Sequence, residues 1–292
     1  MPEKTQAEIV IKKQSQMKEI MGRFAKNKMA ILSLGVIVLL ILMAIFAEQI
    51  APYGPDDQDL SRQFTYPCKE FLFGTDDYGR DILSRLIYGS RYSLAVGLIS
   101  VSFSCLAGVV LGCIAGFYGQ LADNIIMRIV DVVLAIPNIL LALSIAAALG
   151  PGLGNLIVAV GIGAIPGYAR IVRASILSVK QMEYIEAARS IGASDFRLIV
   201  KHILPNCLAP IIVQATMSIA IAILSAASLS FLGLGITPPT PEWGSMLSAG
   251  RAYIRDFWPV VTFPGIMIMI TVFAFNILGD GLRDALDPKL KV

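Results

Sequence analysis

The chain has 292 residues, of which 56% are hydrophobic and 15% charged, and its formal net charge is only +3. Soluble domains carry roughly 25% charged residues; here the charges leave uncharged runs of 31 residues between Arg91 and Asp123, 38 between Asp131 and Arg170, and 40 between Lys201 and Glu242. Apolar runs of about 18 or more are long enough to cross a bilayer as helix, which excludes a soluble globular domain, a disordered chain and a secreted disulfide scaffold, and predicts an all-α polytopic membrane protein.

Residues 1–28 form a polar N-terminal segment, followed by a first transmembrane helix over 29–47 whose length exceeds a signal-peptide core. Residues 48–91 read as a loop with an interfacial helix. Its cluster of Asp76, Asp77 and Asp81 with Arg80 reads as a solvated or interfacial helix start, because carboxylates favour a helix N-terminus. The second span covers about 92–117. In it Gly108, Gly112 and Gly116 recur every four residues on one face, which permits close backbone approach, either within this chain or at a dimer seam. Gly150-Pro151-Gly152 breaks the 38-residue run into a third span, about 124–149, and a fourth, about 156–169. Pro137 and Pro166 fall inside these two and bend them. Arg128 and Asp131 lie three apart on one helix face near the headgroups, where the two can pair locally. The fifth span, about 206–234, ends before Thr237-Pro238-Pro239, and the sixth, about 260–278, follows the interfacial aromatics of Phe257-Trp258-Pro259. Residues 92–282 thus form a five-helix core, with a tail over 283–292.

Catalytic signatures are missing. The four cysteines have no C-x-x-C spacing, there is one histidine, His202, and neither a G-x-S-x-G elbow nor a G-x-x-x-x-G-K-[ST] phosphate loop occurs. The sequence therefore predicts a non-enzyme with no catalytic residue, no metal site and no cofactor of its own. The small net charge carries no signal for nucleic acid.

Lys and Arg set the orientation. Segment 1–28 has seven basic residues against three acids, and the stretch 170–201 has six against three, whereas 48–91 has five against eight. Both termini and the 170–201 stretch are expected in the cytoplasm, and 48–91 outside.

That cytoplasmic stretch is long for a connection between two spans. Glu183-Tyr184-Ile185-Glu186-Ala187-Ala188-Arg189-Ser190-Ile191-Gly192 reads as a helix of good formers stopped by glycine. Asp195 opens or caps a second helix through Phe196, Leu198, Ile199 and His202, and Leu204-Pro205-Asn206 ends the loop at the membrane. A helix–glycine–helix element joined rigidly to two spans suits the transmission of force from a soluble partner.

Glu186-Ala187-Ala188, Gly192 four residues beyond, and Leu204-Pro205 resemble the EAA loop of ABC importer permeases; His202 stands where the broad pattern has an aliphatic residue. Phe73-Gly74-Thr75-Asp76-Asp77-Tyr78-Gly79-Arg80-Asp81, Leu134-Ala135-Ile136-Pro137, Gly167-Tyr168-Ala169-Arg170 and the run from Asn276 to Pro288 are similar to the second permease chain of dipeptide, oligopeptide and nickel importers. The resemblance implies a type I ABC importer permease fold of six helices in a bacterial or archaeal cytoplasmic membrane. It implies a coupling element over about 171–205, in which Glu183, Tyr184, Glu186, Ala187, Ala188, Gly192, Ala193 and Asp195 meet an ATPase. It also implies partners: a homologous second permease, two ATPase subunits that bind ATP and Mg, and an external substrate-binding protein. Pro137, Asn138, Ser225 and Asn276 are candidates to line the pathway, although interhelical hydrogen bonding accounts for the two asparagines equally well. Peptides are the expected cargo, with nickel or another small solute as the alternative. An ion-coupled secondary transporter is the rival class, disfavoured because the long uncharged runs hold no carboxylate.

Overall fold

A computed structural model describes residues 16–286. Lys4, Lys12, Lys13, Lys289 and Lys291, on which part of the orientation reading rests, and Asp287-Pro288 of the C-terminal motif lie outside the described residues. Twelve α-helices follow in order: α1 Gln16–Phe24, α2 Lys28–Ile45, α3 Ala47–Ile50, α4 Ile82–Tyr118, α5 Gln120–Leu134, α6 Asn138–Leu149, α7 Leu153–Lys180, α8 Glu183–Ser190, α9 Asp195–Arg197, α10 Leu208–Phe231, α11 Trp243–Gly250 and α12 Pro259–Leu286. Among the described residues there is no strand, only an isolated bridge between Thr75 and Asp81. Among the described residues five helices, or six if the α5–α6 pair counts as one bent span, are long and apolar enough to cross a membrane.

Two helices outrun their expected bounds because their charges are satisfied by the protein. α4 begins at Ile82 rather than near 92 and has 37 residues, about 55 Å at 1.5 Å per residue. Arg85 donates to the carbonyls of Pro55 at 2.6 Å and Pro239 at 3.1 Å, and Arg91 donates to Ala44 O at 2.6 Å and to Glu48. α7 continues through Arg170 and Arg173 to Lys180 rather than stopping near 169. Each of those three cations has an acceptor: Asp131, Asp123 and Phe117 O. Residues 82–91 are therefore helical and continuous with the second span.

The glycines of α4 face α7. A Cβ at Gly108 would stand 2.3 Å from Tyr168 Cβ, one at Gly112 2.7 Å from Ala169 O, and one at Gly116 3.0 Å from Ile176 Cβ. Of the two readings of that stripe, close packing within this chain is the one observed. Pro137 separates α5 from α6 with a bend of 88°, as expected where a residue lacks its N–H and its ring obstructs the preceding turn. The corner is seated in a notch of α7: a Cβ at Gly163 would lie 2.0 Å from Asn138 Oδ1.

At the end of the bundle opposite α8, the Asp81 carboxylate caps α4, accepting from Ser84 N at 2.8 Å and Ser84 Oγ at 2.6 Å. Asp76 accepts from Arg80 Nε at 2.7 Å and from Arg80 N at 3.0 Å. Of the reading as a solvated or interfacial helix start, the helix start is found, since Asp81 caps α4, but solvation is not: Arg80, Asp81 and Arg85 are buried, and these charges organise the loop. Phe64, Tyr66, Tyr253 and Phe257 pack beside it, and Phe73 stacks on Phe263 at 4.0 Å. This aromatic layer ties the 51–81 segment to the turn that carries α11 into α12.

Candidate functional site

α8 is built from good helix formers, with Glu183 and Glu186 in its first turn and Arg189 in its last, the arrangement that complements the helix dipole. Its inner face is Ile185, buried in a cluster with Val172, Ile176 and Val179 of α7, Cys113 and Phe117 of α4, and Leu198, Ile203 and Cys207 beyond the turn. Glu183, Tyr184, Glu186 and Ala187 are exposed on the outer face, whereas Ala188 and Ala193 are half-buried and pack against that cluster. The two alanines therefore have different roles: Ala187 belongs to the open surface and Ala188 to the base.

The stop is a Schellman turn. Gly192 has φ +84°, its N–H donates to Arg189 O at 2.9 Å, and Ala193 N–H donates to Ala188 O at 3.1 Å, which satisfies two terminal carbonyls. Ser194, not Asp195, is the next cap; its Oγ accepts from Arg197 N at 3.4 Å, and Asp195 is the first helical residue of α9. The expected second helix is irregular. Residues Leu198–Ile203 form a π-turn that runs through a 3-10 turn, Leu204–Cys207, into α10. Pro205 has no N–H for the carbonyl four residues back, and a locally widened turn is a common response to a break in the ladder. Leu204-Pro205-Asn206 thus lies within a continuous helical rod from Asp195 to Phe231. Asn206 Nδ2 donates to His202 O at 2.7 Å, and among the described residues no group of three or more His, Cys, Asp or Glu is placed to hold a metal.

Two residues of this element were not singled out in the sequence. Ile191 is 87% exposed and Phe196 76% exposed. They are large apolar side chains on a polar tip, flanking the Gly192 turn. A helical-register argument finds the first: Ile185 and Ile191 are six apart, so both cannot face the core. A cleft of about 370 Å³ lies between the end of α7 and α8, lined by Leu177, Lys180, Gln181, Ile185, Glu186 and Arg189.

Elsewhere, Asp131 does not pair with Arg128. It accepts from Arg170 Nη2 at 2.5 Å across to α7, and Arg128 is exposed on α5. Pro137 and Asn138 are exposed at the α5–α6 corner, and Ser225 on α10 and Asn276 on α12 are half-buried. Among the described residues no hydrogen bond joins Asn138, Ser225 and Asn276 to one another, so the structure does not gather them into one polar site.

A bundle of long apolar helices around a break at Pro137, with an exposed helix–turn element held at one end, is the form of a polytopic membrane protein. Residues 108–292 match the family described as binding-protein-dependent transport system inner membrane component, and residues 15–67 match the N-terminal transmembrane domain of oligopeptide transport permease C. The chain belongs to the first of these families, that of ABC importer permease subunits, which are not catalytic, and it is a multi-pass protein of the bacterial cytoplasmic membrane. It is 49% identical to the di/tripeptide transport system permease protein of Pseudomonas aeruginosa, over 95% of this chain and 93% of the relative. It is 46% identical to the dipeptide transport system permease protein of Haemophilus influenzae (92% and 93%) and 49% identical to the glutathione transport system permease protein of an Escherichia coli strain (94% and 90%). The fold is that of type I ABC importer permeases: the inward-facing MetNI methionine ABC transporter aligns with a TM-score of 0.57 at 22% identity, over 70% of this chain and 98% of that one.

Proposed function

We propose that this chain forms half of the translocation pathway of an ATP-driven peptide importer, and that α8 with its Gly192 turn is the surface against which an ATPase subunit works. The observation that carries the reading is the construction of α8: one buried isoleucine anchors it to α4 and α7, and everything outward of that is exposed. Glu183, Tyr184, Glu186, Ala187 and Asp195 supply the polar part of that surface, Ile191 and Phe196 its apolar anchors, and Ala188, Gly192 and Ala193 set its geometry. Peptides are the cargo because the relatives named above are permeases for dipeptides, tripeptides and glutathione, itself a tripeptide.

The complete machine has a homologous second permease, two ATPases that bind ATP and Mg, and an external binding protein that delivers the peptide; this chain holds no cofactor. The excess of Lys and Arg in 1–28 and 170–201 puts those segments and the C-terminal tail in the cytoplasm, with 48–91 outside. Pro137, Asn138, Ser225 and Asn276 face the pathway in the assembled pair. The test is reconstitution of the chain with its neighbouring permease, ATPase and binding-protein subunits in liposomes. ATP-dependent accumulation of a labelled dipeptide is expected; uptake that proceeds without any ATPase overturns the proposal.

A further inference from the structure

α5 is poorly embedded in its own chain. Of its fifteen residues only Val130 is buried, with Ala122, Ile126, Met127 and Val133 half-buried, and Gly119 alone joins it to α4, so its apolar packing is thin. Its link to α7 is ionic. Arg173 donates to Asp123 with two prongs, Nε to Oδ1 at 2.5 Å and Nη2 to Oδ2 at 2.6 Å, and Arg170 Nη2 donates to Asp131 Oδ1 at 2.5 Å. The first pair is the stronger rung. Its side chains are 33% and 17% exposed against 54% and 51% for the second, and two-pronged, partly shielded guanidinium–carboxylate pairs resist screening better than open single contacts.

The α7 end of this ladder is continuous with α8. Only Gln181 and Met182 separate them, and the helical bonding hardly lapses: Met182 N donates to Val179 O and Ile185 N to Met182 O. Phe117, at the end of α4, closes the same corner. Its carbonyl accepts from Lys180 Nζ at 2.5 Å, and its ring lies 5.4 Å from Lys180 Nζ and 5.7 Å from Arg189 Cζ. Beyond the ladder α5 runs to the 88° corner, where Asn138 occupies the Gly163 notch of the same α7.

We infer that the Asp123–Arg173 pair, supported by Asp131–Arg170, is the link that makes α5 follow α7, so that movement of α8 reaches the Pro137 corner and α6. This rests on the importer reading above. Asp123 and Arg173 are positioning residues in it: neither is exposed on α8, and both act through the helices that they join. Without the pair, α7 moves under the ATPase stroke while α5 lags, and ATP is hydrolysed with little transport.

The experiment uses the reconstituted complete transporter and reads labelled dipeptide taken up per ATP hydrolysed, together with the amount of assembled complex. Asp123→Arg and Arg173→Asp are each expected to lower uptake per ATP at least fivefold while ATP hydrolysis persists, and the double charge swap to return it to within twofold of wild type. In parallel, Asp123→Cys with Arg173→Cys in a Cys68→Ser background is expected to lose coupling until a short bis-thiol reagent bridges the two helices, which restores it. Single variants with wild-type uptake per ATP, or a bridge that fails to restore uptake, overturn the inference; if a charge-reversed chain does not accumulate, the cysteine pair decides. A wild-type complex that shows no ATP-driven uptake overturns the importer reading itself, a separate result.

Discussion

Ser93 Oγ donates to Glu242 Oε1 at 3.3 Å across 149 positions of sequence, joining α4 to the cap of α11. The same carboxylate accepts from Gly244 N at 2.9 Å and Ser245 N at 2.8 Å, and Trp243 Nε1 donates to Leu86 O at 3.0 Å. Glu242 is only 2% exposed. It is a buried N-cap that pins a short helix against the long one, and among the described residues no cation pairs with it.

Burial pushes the Glu242 carboxyl above its ordinary value of 4.5, and outweighs the hydrogen bonds that pull it down. The folded state therefore holds this proton more tightly than the unfolded chain. Its contribution to stability is fully present in acid and is lost as pH rises through the folded-state pKa. Thermal unfolding of the purified protein in detergent is expected to lose stability over that window relative to Glu242→Gln, which has no proton to release. Glu242→Ala leaves buried N–H groups unmatched and is expected to cost about 1–3 kcal/mol at any pH. A wild-type-minus-Gln difference that is flat from roughly pH 4 to 8 contradicts this.

Gly112→Leu puts a side chain where a Cβ alone would already lie 2.7 Å from Ala169 O and Val172 Cβ. Prying α4 from α7 is expected to cost about 3 kcal/mol or more, at the upper end for overpacking, and to appear as loss of folded protein from membranes. Gly35, with nothing within 4 Å of its added Cβ, is the control: Gly35→Leu is expected to stay within about 0.5 kcal/mol of wild type. Equal accumulation of the two variants argues against the glycine stripe as a packing seam.

Gly192→Val forces a β-branched residue to φ +84°. The left-handed conformation costs an L-residue about 1–2 kcal/mol, so relief by unwinding tilts the α8 tip. Gly192→Asn tolerates that conformation better. The expected order of ATPase co-purification and uptake is wild type, then Asn, then Val, with the bundle itself intact by protease resistance. A valine variant that couples normally removes Gly192 from the mechanism.

Ile191→Asp and Phe196→Asp change side chains with little to hold them within the chain, so stability is expected to shift by no more than about 0.5 kcal/mol. Affinity for the ATPase is expected to drop at least about tenfold, or 1.4 kcal/mol, as for apolar anchors of an interface. Titration of purified ATPase onto the permease pair in nanodiscs measures it. Unchanged affinity in both variants shows that the exposed pair is not the anchor.

The helix count, the α8 helix and its glycine stop were legible in the sequence because each rests on a local signal: long uncharged runs, a run of helix formers, and a residue type that tolerates positive φ. Ile191 needed only the register of Ile185 to be recognised as outward. The Asp131 pairing failed for a related reason: an i, i+3 partner is visible in one helix, but Arg170 on another helix is not. Helix ends were misjudged wherever charge was equated with water.

Composition and charge placement by themselves determined that this chain crosses a membrane several times, since transfer of an apolar run into a bilayer depends on its own residues. Only the tertiary structure decided which charges are held within its helices and which acceptors they meet. Arg85, Arg91, Arg170 and Arg173 sit in membrane helices because acceptors from Pro55, Ala44, Asp131 and Asp123 meet them, and Glu242 is buried because the N-terminus of α11 and Ser93 converge on it. Desolvation of a charge is repaid by partners brought from elsewhere in the chain, and their arrival is a property of packing rather than of sequence order.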